Sequence, residues 1–122
     1  MVQTDISQLS AETAEWRQIL RNYRDDFQQC KKLLQQNVKQ TFTKEQMQEV
    51  ERFHNQFHIQ LINIHDLKQK IKNHEREVQP DRSNPERIYA EHEQLLDQFL
   101  SLEGTLQELR ADFDHFINAT NC

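Results

Sequence analysis

The chain has 122 residues, room for one domain, and a single glycine with two prolines cannot supply the turns of a sandwich, a barrel or repeated βαβ crossovers. Apolar residues make up 35% and charged residues 29%, with a mean hydropathy of -0.97, so burial offsets chain entropy only if the apolar positions are efficiently patterned. The net charge of -5 argues against a general affinity for phosphate backbones or anionic lipid.

Met1–Ser10 carries Asp5 and no basic residue ahead of an apolar run, so no secretory signal is expected there, and no apolar stretch reaches about 18 residues. Cys30 and Cys122 then read as reduced thiols of a cytoplasmic protein. Asn118-Ala119-Thr120 has glycosylation-acceptor spacing, which matters only on a secretory route.

Along the first segment Ile6, Leu9, Trp16, Leu20, Tyr23, Phe27, Cys30 and Leu34 recur at spacings of three and four, with Thr13 filling the gap. This is a heptad seam and predicts a helix over about 5–40. Thr41-Phe42-Thr43 interrupts it. Thr43 and Gln46 have capping-box spacing, and Phe42 and Met47 are placed as a hydrophobic staple, so a second helix is expected over about 43–78. Its seam runs through Met47, Val50, Phe57, Leu61, Ile64, Ile71 and Val78, takes in His54 and Lys68, and is widened by Phe53 and Leu67.

Pro80 and Pro85 bracket the next boundary, where Asn84 before Pro85 is an N-cap followed by proline at the first helical position. The third helix, about 85–119, has the cleanest repeat: Ile88, His92, Leu95, Phe99, Leu102, Leu106, Leu109, Phe113, Phe116 and Thr120, flanked by Leu96 and Ile117. At about 1.5 Å of rise per residue each helix is on the order of 50 Å long. Equal rods with short connections fold antiparallel, so the expected fold is all-α: an elongated antiparallel three-helix bundle, up-down-up, with left-handed coiled-coil-like packing. The 17 glutamines favour helix and cover solvated faces without adding charge. Three heptad helices with a tryptophan, Trp16, on the first seam resemble the architecture of a spectrin-type repeat over the whole length, although the third helix has no second tryptophan. The resemblance implies spectrin-repeat-like packing, and no function is carried across from it.

Matching heights along the bundle groups Trp16, Lys68 and Leu95, with Thr13, Ile71 and His92 one layer outward, which makes that end of the core wetter. Lys68 is expected to run its stem along apolar surface and lift its ammonium toward Glu15 or Glu12. His54 falls at the height of Cys30 and Leu109, two metal-ligand types where a structural zinc site needs four.

Of six histidines, His54, His58 and His65 share a sector of about 40° on the second helix. His54 and His58 are spaced to chelate one cation, and Glu51-Arg52-Phe53-His54 has the Glu-x-x-His spacing of di-iron bundles, with an acidic echo at Asp112 to His115. Asp112 and His115 point away from the apolar seam, the first helix offers no inward glutamate, and one chain supplies three helices rather than four. A metal-binding bundle using Glu51, His54 and His58 is therefore the alternative reading, and it requires a homodimer to complete the site.

One glycine leaves no phosphate-binding loop or nucleotide fingerprint. Ser7, Ser10, Ser83 and Ser101 lie near helix starts or on helix surface without a base beside them, Cys30 faces the core, and Cys122 is expected exposed. Lys68, Lys70, Lys72 and Arg76 are interleaved with His74, Glu75 and Glu77, the pattern of a salt-bridged helix surface rather than a nucleic-acid contact. No catalytic or cofactor-binding residue, cofactor or small-molecule substrate is indicated, and neither nucleic acid nor membrane is an expected partner. Ile59 and Ile62 lie on the far side of the second helix from its seam and are the candidate interface for a protein partner or a second copy. Gly104 sits outward on the third helix at a propensity cost of about 1 kcal/mol. The expected function is a non-enzymatic helical protein–protein interaction module, acting as scaffold, adaptor or assembly subunit.

Overall fold

The computed structural model describes residues 6–37, 43–78 and 85–120, which form α1 (Ile6–Asn37), α2 (Lys44–Val78) and α3 (Pro85–Thr120). The start of α2 is set by a reciprocal capping box. Thr43 Oγ1 accepts from the Gln46 amide at 3.1 Å, Gln46 Oε1 accepts from the Thr43 amide at 2.9 Å, and the Met47 amide closes the turn on the Thr43 carbonyl at 3.0 Å. Proline opens α3, where its missing N–H leaves no helical bond unmade. Phe42 and Asn84, the expected staple and cap, lie outside the described residues.

Side-chain contacts fix the direction of each helix. Arg17 meets Glu75 and Phe27 meets Phe57, so α2 runs antiparallel to α1. His74 meets Glu91 and Phe53 meets Phe113, so α3 runs antiparallel to α2. Glu12 then reaches His92 and Asp26 reaches Arg110 across two parallel helices. The chain is an up-down-up three-helix bundle.

Most of the α1 and α3 stripes bury as their spacing predicts: Leu9, Thr13, Trp16, Leu20, Phe27, Cys30 and Leu34 from α1, and Ile88, His92, Leu95, Phe99, Leu106, Leu109 and Phe113 from α3. Tyr23, Leu102 and Phe116 are half-buried against the core, and the side chains of Ile6 and Thr120 lie outside those described. On α2 the central track of Val50, Phe57, Ile64 and Ile71 is buried as expected, but its more buried flank is Phe53, Gln60, Leu67 and His74, whereas His54, Leu61 and Lys68 are half-buried. The physical reason is that α2 has a neighbour on both sides. A residue three beyond the central track faces α3, and one four beyond faces α1, so both flanks are seam positions.

The widest part of the core is aromatic. Phe27, Phe53, Phe57 and Phe113 are fully buried and meet in tilted or edge-on pairs, with Phe27–Phe57 and Phe57–Phe113 centroids both 5.0 Å apart. Each ring contributes about 1.5–3 kcal/mol by leaving water. Charge is divided unevenly around this core. α3 carries eight acidic residues and two arginines, whereas α1 has five basic against four acidic residues and α2 has six of each. No helix among the described residues is long and apolar enough to cross a membrane.

Candidate functional site

Three of the four buried polar residues among those described, Thr13, His74 and His92, gather near one end, whereas Gln60 lies nearer the middle of α2. His92 from α3 stands beside Trp16, ring centroids 4.7 Å apart, and 5.8 Å from the ring of His74 on α2. His92 Nε2 lies 2.7 Å from Glu12 Oε2, and His74 Nδ1 lies 3.3 Å from Glu91 Oε2. A carboxylate can only accept, so each facing ring nitrogen carries a hydrogen. The opposite nitrogens, His74 Nε2 and His92 Nδ1, are buried without a hydrogen-bond partner among the described residues. Thr13, also buried, turns its hydroxyl back to the Ser10 carbonyl at 3.0 Å. Beyond this layer Leu9 and Ile88, with Tyr89, form a small apolar cluster apart from the main core. The wetter end was expected from Thr13 and His92. His74 was read as surface, although a step of seven from Phe53 through Gln60 and Leu67 leads to it.

Of the expected alternative ligands, Glu51 and His54 line one shallow hollow with Leu34, Met47 and Val50, Glu51 exposed and His54 half-buried, while His58 is exposed and outside that hollow. Among the described residues no group of three or more His, Cys, Asp or Glu side chains is arranged to hold a metal ion. Cys30, buried at the height expected for His54, instead receives a hydrogen bond from Arg110.

Ile59 and Ile62 are 45% and 48% exposed on the outer side of α2, and Leu100 on α3 is 53% exposed. Gly104 is exposed as well, and a Cβ built on it would meet no atom within 4 Å, so no neighbour within the chain demands glycine there.

A second surface follows the α1–α2 edge. Arg17, Arg21 and Arg24 line one edge of α1 opposite Lys68, Lys72 and Arg76 of α2, and Arg17, Lys72, Glu75 and Arg76 share one shallow hollow. Arg17 pairs with Glu75 at 2.6 Å and Arg24 with its exposed neighbour Asp25 at 3.0 Å. Arg21, Lys68, Lys72 and Arg76 form no ion pair among the described residues. Glu12 is engaged with His92, and Lys68 forms an ion pair with neither of its expected partners, Glu15 or Glu12. Its half-buried stem leaves the ammonium partly desolvated, and this, with the nearby Arg24, Arg21, Lys72 and Arg17, holds it below the usual lysine range. The arginines of α1 carry no local sequence signal of this cluster, because it exists only once α1 and α2 are in register.

No protein-family model matches the sequence, and no curated protein or solved structure matches it either.

Proposed function

We propose that the protein is a non-enzymatic helical interaction module, a scaffold, adaptor or assembly subunit that works through its outer faces. One observation carries this reading: Ile59 and Ile62, a helical turn apart, stand nearly half exposed on the side of α2 remote from the core. Two branched apolar side chains at that spacing match the anchor pattern of a helix that lies against another protein surface. The partner is a protein or a second copy of the chain, and the compartment proposed is the cytoplasm, where a free thiol such as Cys30 stays reduced.

The test is capture of binding partners from native lysate together with light scattering, for the wild type beside Ile59→Asp with Ile62→Asp. Loss of a specific partner, or of mass, in the double variant supports the reading. An unchanged partner set and unchanged mass remove these two residues from it.

A further inference from the structure

The excess negative charge of the chain resides on one helix and a cluster of unpaired cations on the opposite pair. Along the outer line of α3, Glu86, Glu93, Asp97 and Glu108 are all exposed, and none forms an ion pair among the described residues. Leu100 and Gly104 lie between them on the same line, 93, 97, 100, 104 and 108 being spaced by three and four. This puts an exposed leucine, 53% accessible, and a position without a side chain at the middle of an acidic stripe. The α1–α2 edge has the converse character: Lys68 lies near Arg21 and Lys72, and Lys72 and Arg76 share a hollow with Glu75, whose carboxylate is taken up by Arg17. Like charges gathered on a surface repel and raise the free energy of the isolated fold, an opposition that an acidic partner relieves.

From these two faces we infer that copies of this chain associate head to tail, the outer line of α3 in one copy lying along the basic α1–α2 edge of the next. A second copy is the occupant the charges select, because the same molecule carries both complementary surfaces. Pairing α3 with α3 would oppose acid to acid, and pairing the two basic edges would oppose cation to cation, so a two-fold dimer through either face is disfavoured. The remaining arrangement is heterologous, and it continues as a ring or a filament. Complementary charge sets register and speeds encounter, and Leu100 supplies apolar area to be buried at the centre of the contact. This face is separate from Ile59 and Ile62, and the inference does not rest on them.

The experiment is sedimentation of the whole chain against ionic strength. At about 10 mM salt the screening length is about 30 Å, and at about 1 M it is about 3 Å. The expected result is a mass above the 14.8 kDa monomer at low salt that returns to it at high salt. Two charge-reversed variants separate the faces: Arg21→Glu with Lys72→Glu, and Glu93→Lys with Asp97→Lys. Each alone should remain monomeric at low salt, and an equimolar mixture should regain the association, since each then offers the other a complementary face. Ile59→Asp with Ile62→Asp should associate as the wild type does, which keeps this result distinct from failure of the α2 interface. A wild type that stays monomeric at low salt overturns the inference, whether or not it captures another acidic macromolecule. A mass insensitive to salt, or charge variants that associate unmixed, overturns it equally.

Discussion

Arg110 places its Nη1 2.9 Å from the sulfur of Cys30, eighty residues away along the chain. The same guanidinium pairs with Asp26 at 3.0 Å and Asp114 at 3.2 Å and stands over the ring of Phe113 at 5.7 Å. It closes the edge between α1 and α3, with Cys30 behind it.

The consequence for the thiol is measurable. Burial pushes Cys30 up to about 11, against the opposing pull of Arg110. At neutral pH it should react with a soluble disulfide reagent only when the bundle opens, at least about a hundredfold more slowly than in denaturant. The sign for stability follows from a raised acid: the native state holds this proton longer than the unfolded chain. That contribution is complete below about pH 9 and is lost as pH rises toward 11. Urea unfolding of wild type and Cys30→Ala across that range should show the wild type losing stability relative to the variant.

The two buried imidazoles each spend one nitrogen on a carboxylate and leave the other without a partner. Groups buried in this way cost stability, whereas apolar replacements of similar volume are often neutral or stabilising. The double substitution His74→Leu with His92→Leu should raise the unfolding free energy by about 1 kcal/mol. His92→Ala should lower it, because it opens a void beside Trp16. Denaturant titrations of the three proteins decide the matter, and a destabilised double leucine variant would show that the polar layer itself supports the fold.

Gly104 sits in mid-helix with open space where a side chain would stand. Gly104→Ala should therefore stabilise the monomer by about 0.5–1 kcal/mol, read as a shift in the urea midpoint at high salt. Measuring at high salt keeps folding separate from any association through the α3 face.

Phe57 is fully buried, with aromatic neighbours from all three helices. Truncation to alanine should cost about 3–5 kcal/mol. Ile62→Ala, at a position 48% exposed, should change the unfolding free energy of the monomer by no more than about 0.5 kcal/mol. Chemical denaturation at low protein concentration checks both, and a large loss for Ile62→Ala would mean that this side chain supports the fold rather than meeting a partner.

The heptad period, the three helices, the Thr43–Gln46 cap and the exposed pair Ile59 and Ile62 were all legible in the order of the residues, because each depends on neighbours within a turn or two of helix. The flank of α2 on which His74 and Gln60 lie was not, since positions three and four beyond the central track have equal claim until α1 and α3 take their sides. The same holds for Arg17 with Glu75, His92 with Glu12 and Arg110 with Cys30, pairs 58 to 80 residues apart. The acidity of α3 could be counted from its composition. That six cations from α1 and α2 share one edge, four of them without an ion pair among the described residues, depended on the register of two helices, which side-chain packing across the bundle decides and no local pattern encodes.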